Sequence, residues 1–314
     1  MIGFALVFAL VVTVLSALAL LALVVVTRRG ARRDVPIGHR AVELAVGLPL
    51  AGGIVLVLAL IVHGYAGDDH CSVHDHHAHL CVVHGGDWTG IPWVMVVLAA
   101  GAAGVVARLA VLLGRHLRAA RAIATLRRVS VEVGDVRLVD SPDAFCFVAG
   151  LWRPRIYAST AAWHGLAEDE RAAMLAHERG HVAHRDVARR FAIELTASFA
   201  APLLPGRLVR RWAQAIEHER DRDAVQVIGD PEPVARAMVR MCRLQRGAAS
   251  PGLAFVAGAD ELSGRVEALL AAGPSPARAG RARSGHVLAL ALAVVALAVT
   301  QVDVLHHALE TLLG

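Results

Sequence analysis

The residues with the clearest capacity for chemistry are His177, Glu178 and His181, in the stretch LAHERGHVAHRD at 175 to 186. On an α-helix, positions four apart lie on one face about a turn apart, so the two imidazoles can aim ring nitrogens at a single cation. Glu178 falls beside them. There a carboxylate can take a proton from a metal-activated water attacking a peptide carbonyl and hand it to the leaving amine. With 17 His in 314 residues, composition alone yields about 0.035 matches to this pattern in a chain of this length, so chance explains it poorly.

Two histidines leave a tetrahedral zinc short of one protein ligand and one water. The stretch IEHERDRDAV offers four carboxylates, Glu217, Glu219, Asp221 and Asp223. Spacing alone does not choose among them.

These residues need a frame. LAEDERAAMLAHERGHVAHRD, from Leu166 to Asp186, opens with acids and closes with Arg and His, which suits the helix dipole and predicts a helix of about 20 residues. Ahead of it, 129 to 140, 144 to 150 and 155 to 159 read as short strands joined by Gly- and Pro-bearing turns, so a small antiparallel sheet is expected. Behind it, 191 to 206 reads as a buried or membrane-grazing helix, and 207 to 228 and 231 to 245 as two more helices. No internal repeat is present.

The rest of the chain is too apolar for a soluble protein: 56% of residues are hydrophobic and the mean hydropathy is +0.54. Apolar runs long enough to cross a bilayer lie at 1 to 26, 41 to 63, 92 to 113 and 286 to 302. The first lacks a positive n-region and is too long for the core of a signal peptide, so it reads as a retained helix. Arg28, Arg29, Arg32, Arg33 and Arg40 fill the first loop, and Arg115, Arg118, Arg121, Arg127 and Arg128 follow the third span. The loop from 64 to 91 has no Arg and four Asp. Positive charge stays inside, so the first loop and residues 114 to 285 are expected in the cytoplasm of a multi-pass cell-membrane protein, with both termini outside. The basic residues are all Arg, and the net charge of +5 follows the membrane flanks, which argues against direct nucleic-acid binding.

The expected fold class is thus an α+β membrane protein of about four transmembrane helices. Its domains would be 1 to 113 with three spans, a mainly helical cytoplasmic unit at 114 to 285, and 286 to 314 with the last span and a short outer tail. The outer loop carries His70, His74, His76, His77, His79 and His84 with Cys71 and Cys81. Two readings stay open: a metal-binding sensor, or a Cys71 to Cys81 disulfide closing a polar loop of solvated histidines. Cys146 and Cys242 fall on the cytoplasmic side and read as buried thiols. Arg108, inside the third span, reads as snorkelling to the inner interface.

Three apolar spans, LAHERGHVAHRD, a later EHERDRDA and a last span resemble the BlaR/MecR family of integral-membrane zinc peptidases, gluzincins related to the HtpX-type membrane proteases. The resemblance implies a zinc endopeptidase with His177 and His181 as ligands, Glu178 as catalytic carboxylate, and, by the family's Glu-x-x-x-Asp pattern, Glu217 as third ligand and Asp221 orienting a histidine. Glu219 with Asp223 fits the same spacing but ranks second. FCFVAGLWRPRIYAS resembles the family's stretch in which Gly followed by Pro-basic-Ile forms an edge strand for substrate. The implied partner is a protein substrate at the cytoplasmic face, such as a small DNA-binding repressor. Two departures stand out: the chain has no lysine and no outer penicillin-binding domain, so it is not expected to sense β-lactams, and Ala167 stands where relatives cap the zinc helix with Ser or Thr. Quality control of membrane proteins, as in HtpX-type enzymes, and a non-enzymatic metal-binding receptor are the alternatives.

Overall fold

The computed structural model describes residues 39–66, 92–200, 206–246 and 259–271. Among these the order is α1 (His39–Ala66), α2 (Pro92–Val129), β1 (Ser130–Val133), β2 (Val136–Val139), β3 (Cys146–Ala149), β4 (Arg155–Ser159), α3 (Thr160–Gly165), α4 (Glu168–Ala183), α5 (Asp186–Ala200), α6 (Gly206–Ile228), α7 (Pro231–Arg246) and α8 (Ala259–Ala271). The expected spans at 1 to 26 and 286 to 302 lie outside the described residues, as do Cys71, Cys81, His74, His76, His77 and His79.

The chain divides into two compact units, one comprising Met1–Val111, Ile193–Trp212 and Arg278–Gly314, the other Leu112–Ala192 and Ala213–Ala277. In the first, the expected span at 41 to 63 is helical throughout, within α1. Trp212, almost fully buried, donates its indole N–H to Glu43 Oε1 at 3.0 Å. Among the described residues one helical stretch, Ala99–Val129 in α2, is long and apolar enough by length and composition to cross a membrane.

The second unit is built on a four-stranded sheet of order β1-β2-β4-β3. The expectation of an antiparallel sheet is corrected here. β1 with β2 and β3 with β4 are antiparallel, but β2 and β4 run parallel, with Val136 opposite Ile156 and Val139 opposite Ser159. Local turns suggest strands pairing in chain order; burial decides otherwise. Ile156, Tyr157, Ala158 and Ser159 are all buried, and a strand apolar on both faces belongs in the middle of a sheet. The arrangement is pinned where β4 ends: buried Ser159 Oγ accepts the N–H groups of Phe145 at 3.0 Å and of Ala162 at 3.1 Å, so one hydroxyl ties β4 to the start of β3 and caps α3. A second correction follows. The Pro154-Arg155-Ile156 strand lies inside the sheet, and the edge beyond it is β3. Gly150 makes the turn between them, with φ of 110° and a position where a Cβ would lie 2.6 Å from Arg153 O.

Side chains alternate across this sheet with the period of two that strands impose. Val136, Leu138, Cys146, Val148, Ile156 and Ala158 face Met174 and Leu175 of α4. Val139, Phe145, Phe147 and Tyr157 face Ile123 and Leu126 of α2. The other side of α4 presents small residues, Ala173 and Ala176, to Ala224 of α6, Val234 and Ala237 of α7 and Leu269 of α8. Burial of side chains the size of Met174, Leu175 and Ile156 contributes about 1.5–3 kcal/mol each. The helix carrying His177 and His181 is thereby clamped between a sheet and a helical layer.

The helix expected at 191 to 206 begins earlier, as α5 at Asp186, with 201–205 outside the described residues. The next two helices fall where their patterns place them, as α6 and α7. α3 and α8 were not expected from the sequence.

Candidate metal centre

α4 starts without a side-chain cap, as Ala167 predicts, but Glu170 reaches back to accept the Ala167 N–H at 3.0 Å, and Glu168, Asp169 and Glu170 load its first turn with negative charge. Its end is abrupt. Arg185 takes the left-handed conformation, with φ of 53°, while its N–H reaches Val182 O at 3.1 Å. That reversal brings Asp186, the first residue of α5, back under the helix it has just left.

The consequence is a converging set of donors. His177 Nε2 and His181 Nε2 lie 3.1 Å apart, and Glu217 of α6 sets its Oε2 3.4 Å from the first and its Oε1 3.6 Å from the second. Bonds of about 2.0–2.1 Å at tetrahedral angles place ligand atoms about 3.3–3.4 Å apart. The donors therefore fit a zinc-sized cation in type, number and spacing, and His177, His181 and Glu217 form a group that could hold a metal ion among the described residues. Each histidine turns its other nitrogen to a carboxylate, His177 Nδ1 to Asp221 Oδ1 at 3.0 Å and His181 Nδ1 to Asp186 Oδ2 at 3.0 Å. That arrangement fixes the Nε2 lone pairs toward the common point.

The α6 carboxylates divide. Glu217 and Asp221, four apart, face His177 and His181; Glu219 and Asp223 face Arg220, with Nη2 3.6 Å from Glu219 and Nη1 hydrogen-bonded to Asp223, which also lies 3.6 Å from His184 Nε2. Asp186, Arg220 and Arg265 were missed in the sequence. Asp186 had a readable signal, an acid directly after a helix that ends in histidine. Arg265 had none, since it arrives from α8, 44 positions beyond Asp221.

Electrostatics follow from crowding and burial. Burial opposes charge on His177, yet hydrogen bonds to Asp221 and Glu217 and their negative charges outweigh it and raise its pKa to about 10. Burial likewise pushes Glu217 up, but His177, His181 and Arg265 prevail and hold it at about 2. Asp221 is held far below the usual carboxylate range by His177 and Arg265 despite its burial. Glu178 differs. Burial dominates and raises its pKa, with the histidines and Arg265 pulling the other way. A carboxylate of raised basicity beside the donor cluster is the arrangement a proton acceptor needs. Burial and the charge of Glu178 also raise the Cys146 thiol well above its usual value, so this half-buried cysteine stays a neutral thiol; Cys242 is half-buried too.

Residues 116–284, more than half of the chain, match the model of Peptidase family M48. The chain belongs to peptidase family M48. This M48 chain is also 27% identical to a protein named Protease HtpX homolog from Methylibium petroleiphilum, over 34% of its own length and 49% of that relative's. It thus spans about half the length of the curated relative it matches. No solved structure matches. Membership of M48 supports the metallopeptidase class anticipated from His-Glu-x-x-His and does not single out the BlaR/MecR proteins.

Proposed function

We propose that the chain is a membrane-bound zinc endopeptidase that cuts a protein substrate at the cytoplasmic face. The observation that carries this is the convergence of His177 Nε2 and His181 Nε2, 3.1 Å apart, on the Glu217 carboxylate, whose Oε2 lies 3.4 Å from the first and Oε1 3.6 Å from the second, beside the buried carboxylate of Glu178. His177, His181 and Glu217 would hold the ion, which when bound supplies Lewis acidity to a water and to the scissile carbonyl. Glu178 accepts the proton of the attacking water and delivers it to the departing amine. Asp221 and Asp186 accept the Nδ1–H of the two histidines and keep the ligating nitrogens aimed inward. Burial of Glu178 keeps bulk water from competing for that proton.

Arginine-rich flanks support the cytoplasmic placement, and the BlaR/MecR resemblance favours a DNA-binding repressor as substrate in signal-regulated proteolysis, with the His- and Cys-bearing loop at 64 to 91 as the outer input. Similarity to an HtpX homolog supports quality control of membrane proteins equally well. The test is a comparison of cytoplasmic proteins in cells carrying the active chain or Glu178→Gln. Accumulation of one uncut DNA-binding protein in the mutant supports the regulatory reading, accumulation of many misfolded membrane proteins the second.

A further inference from the structure

Arg220 has a side chain with no solvent exposure, three residues after Glu217 and next to Asp221 on the same helix. A buried guanidinium is costly unless carboxylates surround it; here three lie against it as ion pairs, and Nη1 alone makes a hydrogen bond to one of them. Nε lies 3.0 Å from Asp186 Oδ2, Nη1 donates to Asp223, and Nη2 lies 3.6 Å from Glu219. Asp186 Oδ2 is also the oxygen 3.0 Å from His181 Nδ1. The other oxygen, Oδ1, accepts from Arg189 at 2.8 Å. Gly180, between the two histidines on α4, leaves the space for this side chain, because a Cβ there would stand 3.0 Å from Arg220 Cδ.

We infer that Arg220 is a positioning residue of the metal centre: through Asp186 it sets the orientation of His181, as Asp221 does directly for His177. One turn of α6 then serves both histidines. Glu217 enters the donor set, Asp221 braces the first imidazole and Arg220 braces the second across a shared carboxylate oxygen. The inference rests on the zinc-site reading above and adds to it a residue that touches neither ion nor substrate. Its side chain joins α6 to the start of α5, so it couples the geometry of His181 to the packing of two helices.

The experiment is a double-mutant cycle on the full chain in detergent, reading zinc affinity by competition with a fluorescent chelator. Arg220→Met should weaken zinc binding about 10-fold or more, the usual effect of removing a group that orients a ligand, and Arg220→Lys should recover part of the loss. In an Asp186→Asn background the same Arg220→Met change should cost less than about 2-fold, because its route to His181 is already cut. Equal losses in both backgrounds, or wild-type affinity in Arg220→Met, overturn the inference. If Arg220→Met does not fold, as a melt of metal-free protein would show, the cycle is run with Arg220→Lys and the same criterion applies. A wild-type chain that binds no zinc instead sinks the metal-site reading itself.

Discussion

Arg265 grips Asp221 through two parallel hydrogen bonds, Nε to Oδ2 at 2.8 Å and Nη2 to Oδ1 at 2.6 Å, while Nη1 lies 3.3 Å from Glu217 Oε2. A bidentate arginine fixes a carboxylate in plane as well as in place. Asp221 can therefore present one edge to Arg265 and still accept from His177. Asp221→Asn keeps the shape but loses the charge that both partners need. It should lower zinc affinity by about 10- to 100-fold, measured by chelator competition; unchanged affinity would mean that His177 is oriented by something else.

The choice of third ligand gives a sharper comparison. Glu217→Ala removes a donor atom from the set, whereas Glu219→Ala removes a neighbour of Arg220. Metal analysis of the purified variants should show zinc lost in the first and largely retained in the second. The reverse pattern would transfer the ligand role to Glu219.

Sequence reading went furthest where chemistry is local. A four-residue spacing on one helix suffices to place His177 and His181 together, and the α6 and α7 patterns find their helices within a residue or two. It failed where partners come from afar. The parallel pairing of β2 with β4 depends on which strand is buried on both faces, and Arg265 is brought to Asp221 by a helix 44 positions further along the chain. Asp186 lies between these cases: its distance from His181 is short in sequence, but only the left-handed Arg185 turns it toward the ring.

That turn has its own test. Arg185 is exposed, and a non-glycine residue in the left-handed region is strained by roughly 1 kcal/mol. Arg185→Gly should therefore stabilise the protein, raising Tm by a few degrees, with zinc content unchanged. A lower Tm would show that the arginine side chain itself holds the turn.

The acid–base behaviour of metal-stripped protein is fixed in sign by His177. Folding raises its pKa from 6.5 to about 10 by supplying two carboxylate partners. That pairing contributes fully below pH 6.5 and is lost as pH climbs through about 10. Tm after chelation should fall across this window, and less steeply in Asp221→Asn; a flat profile would exclude the pairing. Zinc requires neutral imidazoles, so loading the stripped protein should release the His177 proton throughout the range below about pH 10 and progressively less above it.

The most direct test of the whole account is Glu178→Gln, which retains all three metal donors and loses only the proton acceptor. The measurement pairs zinc per chain with a proteome-wide survey of new N-termini in cells carrying either form. The account predicts equal zinc in both, and a set of cleavages made by the wild type that falls at least about 100-fold in the mutant. Identical sets of new N-termini at equal zinc would contradict it.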